Sequence, residues 1–584
     1  MTPGPPRDGW LGAQQRWTGS AWAVTAALVV VTVATRWPVA AGLTHDVPSD
    51  LGDPLFVSWA LARASAHWTE LLGGDLSAVT RFWDARIFHP EPLTGAYSEH
   101  FTAQALVTLP LWWLTHNPLL SYNVLFLGSA VLGGLGMYLL VRDLTGHAPA
   151  AVVAALCFAC APYRVSSASH LQVQSAQWMP FALFALRRFI VGGRRRALAG
   201  AVAAIWLQNL SSGYYMLFFA PLAGAWSLCW LTVERRWSDV RMLASLVAAS
   251  ALTLLLTLPF ALPYLEVQRR SGGGGRSIDE AANYSADLAA WFTADPALTF
   301  WSWVQAFPRL EGALFMGLGL PVLAAIGVVA ALKGTAARGQ RATAVFALAT
   351  TVFAVWMAVG PRPAAWGQPL PVPSLFAVAY DHVPGFNAAR VPARFQMIVV
   401  LAGSILAGLG ALALRQWPWG AAALAVVVVL DGTAVPFPMN RVWAPTLEAQ
   451  PPPRRVTPMT PPRVYGYLAT LGREGVVVHF PFGAPEHDLR YMFYSATHRT
   501  TMANGYSGAY PRDWNERVAA LSWPTRNPDR AWAYLRQLRA SHAVVHDDVW
   551  RDGTGPELRA MLAARGAKLV FHDGPDAIFQ LPPP

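Results

Sequence analysis

Charge is scarce in this sequence: Asp, Glu, Lys and Arg make up 13% of its 584 residues, against roughly 25% in ordinary soluble domains. The deficit is concentrated before about Phe437, and hydrophobic residues reach 54% overall. A wholly soluble protein is thereby excluded. Cysteine is also rare. Cys157, Cys160 and Cys229 all fall inside apolar runs, so the polar segments have no disulfide framework, and Cys157-x-x-Cys160 reads as core packing before redox chemistry. The first apolar run lacks a small-x-small cleavage site, so it reads as a retained helix. No Walker Lys-Ser/Thr follows Gly272–Gly275, which excludes a nucleotide P-loop there. The net charge of +11 does not indicate nucleic acid, because Lys and Arg gather in short loops between apolar runs.

A bilayer crossing needs about 20 mostly apolar residues. Such runs occur near 21–42, 119–141, 150–165, 174–191, 197–212, 213–232, 242–265, 313–332, 342–360, 396–414 and 419–436. They predict a polytopic α-helical membrane protein with about eleven transmembrane helices and a C-terminal soluble α/β domain. Its layout is an N-terminal lead (1–20), a bundle (21–436), a Pro-rich linker (437–462) and the soluble domain (463–584). Basic clusters at Arg142, Arg187–Arg196, Arg235–Arg241, Lys333–Arg341 and Arg415 recur at every second loop. By the positive-inside rule the N-terminus is cytoplasmic, and the long loops 44–118, 266–312 and 361–395 lie outside with the C-terminal domain. This parity requires the apolar piece Ala103–Thr115 to be interfacial or re-entrant.

Polar chemistry collects in the outer segments. The first loop opens with Asp50-Leu51-Gly52-Asp53-Pro54, where Asp53 is a natural helix cap. Two acids beside a membrane-buried helix end also suggest function, since carboxylates near hydrocarbon are costly. Asp84, in Arg81-Phe82-Trp83-Asp84, and the pair Glu99-His100 follow in the same loop. His170 lies on a short turn between two spans. Arg390 and Arg394, in Gly385–Phe395, sit on the outer edge of a span against the positive-inside bias, so each calls for a partner: a phosphate, an outer acid or lipid headgroups. Tyr284, with Asp287, offers an aromatic for sugar. The Arg269–Ser277 segment reads as a linker before a lid.

The order of features resembles the GT-C superfamily of membrane glycosyltransferases, which use polyprenyl-phosphate-linked donors. Asp53-Pro54-Leu55-Phe56 is similar to the Asp-Pro-aromatic segment of oligosaccharyltransferase catalytic subunits. The turn Tyr138-Leu139-Leu140-Val141-Arg142-Asp143-Leu144-Thr145-Gly146 is similar to one in protein O-mannosyltransferases and aminoarabinose transferases. The Trp-Trp-Asp signature and a clear second Asp-x-Asp are missing. The resemblance implies an enzyme in which a carboxylate, Asp53 with Asp50 as partner or alternative, takes the proton of an acceptor hydroxyl. Glu99, His100, His170, Arg390, Arg394, Asp84 and Tyr284 are then the candidates for binding donor or substrate. A divalent metal is left open, with Asp53 and His170 as its candidate ligands. The implied partners are a polyprenyl-phosphate sugar, the lipid bilayer and a glycan, lipid or protein acceptor, with no nucleic acid. The implied location is a bacterial inner membrane, with the soluble domain periplasmic.

In the tail, strands are expected at Gly475–Phe480 and His542–His546, helices at Pro528–Ala540 and Glu557–Arg565, and a hairpin across Asp573-Gly574. Met502–Tyr510 is a polar-aromatic turn, either a sugar contact or a packed loop. Two other functions remain: a transporter or flippase for lipid-linked saccharide, and a non-catalytic cell-envelope assembly protein. A transporter usually carries mid-span charges and internal repeats, and here the former are few and the latter unconvincing.

Overall fold

A computed structural model of the chain describes residues 9–270, 276–333, 336–442, 461–472, 475–550 and 553–583. The protein is mostly helical and ends in a β-containing region. Among the described residues six helices are long and apolar enough to cross a membrane: Pro118–Thr145, Ala148–Ser166, Gly213–Val233, Val240–Arg270, Arg338–Ala358 and Pro392–Ala413. Three shorter apolar helices, Ser20–Thr35, Gly319–Leu332 and Pro418–Asp431, fall on further expected runs. Trp178–Gly192 and Arg195–Ser211 fall on the last two. The chain is therefore a multi-pass membrane protein, in which six of the eleven expected runs have the length and hydropathy of a span and five are shorter.

Among the described residues the chain divides into two compact units, each assembled from separate stretches. The first draws on Met1–Ala41, Leu125–Leu258 and Gly275–Phe437. Its centre is the Gln396–Ala413 helix, which is buried from Gln396 through Ala411, as an all-round apolar helix must be. Glycines let a neighbour approach it. A Cβ on Gly327 would stand 2.2 Å from the Leu406 carbonyl oxygen, and one on Gly410 would stand 2.0 Å from that of Leu323. Small residues at such crossings replace the hydrophobic drive that lipid does not supply. Asp431 fixes a further corner by accepting the Leu318 and Gly319 N–H groups at 2.9 and 2.8 Å and the Trp301 indole N–H at 3.0 Å. It thus caps the Gly319–Leu332 helix from outside that helix.

The second unit comprises Gly42–Val124, Pro259–Gly274 and Pro438–Pro584. These units cut across the sequence-based division, because the first long loop folds with the tail. Val47, Leu55 and Leu119 share one apolar cluster with Val464, Val477, Phe493 and Ile578. The loop contributes the Asp53–Leu72 helix and a Thr102–Thr115 helix where the short apolar piece was expected. The tail supplies β1 (Val476–Phe480), β2 (Thr501–Met502), β3 (His542–His546), β4 (Lys568–Asp573) and β5 (Asp576–Gln580) in the order β2-β1-β3-β5-β4. β1 runs parallel to β2 and β3, with Val477 opposite His542, whereas β5 runs antiparallel to β3 and β4. The turn at Asp573-Gly574 uses the left-handed φ of +57° at Gly574, cheap for glycine. The Pro485–His498 helix was not foreseen. Residues 271–275 of the glycine segment and 443–460 of the linker lie outside the described residues.

Candidate functional site

Asp53 is the first residue of its helix, followed by Pro54. Proline needs no N–H partner in the first turn, and an acid there complements the helix dipole. The cap position belongs to Gly52, and no side chain bonds it, so the expected capping role of Asp53 is not seen. Its carboxylate instead accepts the Tyr506 phenol at 3.3 Å, and Tyr506 packs edge-on against Phe56 with ring centroids 6.0 Å apart. Asp50 has a local task. One oxygen accepts the Gly52 N–H at 2.8 Å and the other the Ser49 hydroxyl at 3.2 Å. Asp50 thus shapes the turn that presents Asp53.

Three other loop candidates lie in the same unit. His100 is buried, and its Nδ1 accepts the Thr102 N–H at 3.1 Å at the start of the Thr102–Thr115 helix. Trp83, Phe260 and Tyr264 surround its ring. Burial, with the Arg63 charge adding, pushes it down to about 3, so it is a neutral packing group at physiological pH. Its neighbour Glu99 acts electrostatically on Tyr264. Asp84 accepts the Arg86 N–H at 3.1 Å and lines a pocket.

In the other unit, His170 and Arg394 meet through Glu311, a residue the sequence reading did not single out. Arg394 donates to Glu311 at 2.8 Å, and His170 Nε2 lies 3.8 Å from the same oxygen. Burial alone would raise the Glu311 carboxyl, but Arg394 and then His170 hold it below the usual range. Glu311 has a left-handed φ of +54°, a strain of about 1–2 kcal/mol for a non-glycine residue. Arg394 is 5% exposed and also lies over the Tyr214 ring at 4.7 Å. Arg390 is more open. It sits 3.6 Å from Glu280 and 4.7 Å over Tyr284. Ser277-Ile278-Asp279-Glu280 forms a helix start in which the Ser277 hydroxyl accepts the Glu280 N–H at 3.1 Å, which fixes Glu280 for Arg390 and Arg276. Asp287 is committed to structure, accepting the Trp366, Gly367 and Ala289 N–H groups.

Each outer arginine therefore has the acid partner that its placement called for. The signal in sequence was the demand for a partner, not its identity. Tyr506 carried a weaker signal as part of the polar-aromatic turn. Among the described residues no three His, Cys, Asp or Glu side chains are grouped to hold a metal ion.

The sequence model of a family described as "Domain of unknown function (DUF6311)" matches residues 104–432. None of the curated proteins matches the chain in sequence. In structure the chain is similar to the arabinofuranosyltransferase AftD from Mycobacteria. A mutant of that protein gives 14% identity and a TM-score of 0.55, with 97% of this chain and 41% of that one covered. A second AftD structure gives 14% and 0.52, with 97% and 40% covered, so this chain spans less than half of that protein. The archaeal oligosaccharyltransferase AglB from Archaeoglobus fulgidus is similar at 12% identity and a TM-score of 0.45, with 94% and 71% covered. The AftD likeness shows that the two chains share a fold.

Proposed function

This chain belongs to the family described as "Domain of unknown function (DUF6311)", and we propose that it is an integral membrane glycosyltransferase moving a sugar from a polyprenyl-phosphate-linked donor to an acceptor. The observation that carries this reading is the Asp53 carboxylate, set at a helix start and bonded by Tyr506, on a GT-C fold. Asp53 takes the proton of an acceptor hydroxyl as that oxygen attacks the anomeric carbon. The bond from that carbon to the phosphate oxygen breaks, and the polyprenyl phosphate leaves with its negative charge. A guanidinium suits that charge; within the first unit Arg390 is less enclosed than Arg394. Arg394 and His170 hold Glu311, Tyr284 supports Arg390, and Asp50 shapes the Asp53 turn. His100 has a packing role.

In this reading all eleven apolar helices cross a bacterial inner membrane, the N-terminus is cytoplasmic, and the loops 44–118, 266–312 and 361–395 and the C-terminal domain 463–584 are periplasmic. The basic clusters at every second connection support that orientation. The acceptor is a glycan, lipid or protein. The test offers a panel of polyprenyl-phosphate sugars to the full chain in nanodiscs and follows free polyprenyl phosphate. Release coupled to a covalent sugar product supports transfer. Uptake of the lipid-linked saccharide by sealed vesicles without such a product would mean transport instead.

A further inference from the structure

A second polar site lies in the unit that holds Asp53. A cavity of about 550 Å³, counted with its open mouth, is lined by the later turns of the Asp53–Leu72 helix, the 81–86 segment and residues 495–500. Four arginines, Arg63, Arg81, Arg86 and Arg499, line it with only two carboxylates, Glu70 and Asp84. Glu70 is shared, because Arg81 reaches it at 3.2 Å and Arg499 at 3.1 Å. Arg81 also meets Asp75 at 2.7 Å. His67 adds no charge, since burial, then the Arg63 guanidinium, pushes it down to about 4.

Arg63 is the telling residue. Among the described residues no carboxylate comes within ion-pair distance of it, and its enclosed Nε has no hydrogen-bond partner. Its other contacts are the Phe82 carbonyl and the rings of Trp59 and Phe82. Burial pushes Arg63 down to about 10, so it still carries its proton at neutral pH. A half-enclosed cation with an unused donor is costly unless an anion completes it. Arg86 and Arg499 also take left-handed φ values of +56° and +53°, so the backbone that presents them is itself held in place.

We propose that this cavity is a phosphate-binding site, with Arg63 and Arg499 as its principal donors and Arg81 and Arg86 as its rim. The site is distinct from the reacting phosphate of the proposed transfer. Arg63 lies about 15 Å, and Glu70 about 25 Å, beyond Asp53 along one helix at 1.5 Å per residue. The phosphate comes either from a membrane lipid headgroup or from a soluble phosphate ester such as a phosphorylated glycan. Both offer the oxyanion that paired guanidinium forks recognise.

Equilibrium binding of radiolabelled inorganic phosphate to the full chain tests the site, first in alkyl maltoside micelles, which contain no phosphate. One phosphate should bind per chain, and Arg63→Gln and Arg499→Gln should each weaken it at least about tenfold, as loss of a charge-assisted bond implies. Glu70→Gln should tighten binding several-fold by removing the competing carboxylate, which a merely damaged fold would not do. In phosphatidylglycerol nanodiscs, displacement of the label identifies a headgroup as the natural occupant, and undiminished binding identifies a soluble ester. Absence of stoichiometric binding in micelles, binding indifferent to both arginine substitutions, or weaker binding in Glu70→Gln overturns the proposal. None of these readouts depends on sugar transfer, so the site and the transfer reaction can fail separately.

Discussion

The Tyr506 phenol donates to the Asp53 carboxylate across 3.3 Å, joining residues 453 positions apart in the chain. The bond ties the polar-aromatic turn of the tail to the acid of the first long loop and gives Asp53 a fixed direction. Tyr506→Phe keeps the ring that packs on Phe56 and removes only the donor. We expect its transfer rate to fall about tenfold, in keeping with roughly 1–2 kcal/mol for one hydrogen bond to a charged group, with an unchanged melting temperature. Steady-state rates beside a melting curve check this, and a wild-type rate would show that Tyr506 does not position the acid.

Much of the architecture could be read from the chain because hydrophobic length is a local signal. All eleven apolar runs became helices, and β3 occupies the residues expected for it. The site was legible only in part. Asp53 announced itself through Pro54, and Arg394 through its place at the outer edge of a span. Their partners Tyr506 and Glu311 are 453 and 83 residues away, and no periodicity encodes contacts at such separations. The joining of the loop to the tail was hidden for the same reason. The residues that cement it, such as Leu55 and Phe493, look like ordinary apolar positions on two amphipathic helices.

Arg394 and Arg390 should separate on mutation. Arg394→Gln leaves Glu311 enclosed without its cation, and breaking a buried pair in this way costs about 3–5 kcal/mol. We expect a large fall in melting temperature, largely recovered in the Arg394→Gln/Glu311→Gln double variant. Arg390→Gln, at a half-exposed pair, should leave the melt nearly unchanged. Melting curves in detergent for the four proteins decide the matter, and equal melts for the two single variants would contradict it.

Close helix approach in the first unit makes Gly327 and Gly410 intolerant of side chains. Gly410→Val would drive its Cβ into the Leu323 carbonyl, 2.0 Å from the ideal position. We expect each Gly→Val variant to lose several kcal/mol, seen as aggregation or early melting during size-exclusion chromatography. Gly224→Val, where no atom lies within 4 Å of the added Cβ, should behave as wild type.

Acid should destabilise the second unit. Burial holds His100, His487 and His498 at about 3 and His67 at about 4, and His479 is also held low by burial. Unfolded, each titrates near 6.5. Below that value the unfolded chain binds protons that the folded one refuses, so stability is complete above about pH 6.5 and declines as pH falls toward 4. Each such histidine contributes a slope of about 1.4 kcal/mol per pH unit in that window. Asp488, raised by burial, works in the opposite sense, since the folded form keeps its proton above the ordinary carboxylate range. Burial also lowers His89 and His542 and raises Asp547, so seven histidines outweigh two acids. Melting at pH 7.5, 6 and 5 should show a progressive fall, and a rise on acidification would contradict this balance.

The direct test of the proposed chemistry compares Asp53→Asn with Asp50→Asn in sugar transfer by the full chain in nanodiscs. Asp53→Asn should lose about 10²–10⁴ in rate, the usual worth of a general base, with its melting temperature intact. Asp50→Asn should lose less, because its oxygens already serve Gly52 and Ser49. Wild-type rates in Asp53→Asn, under conditions where wild type consumes donor, would contradict the assignment of Asp53 as the base.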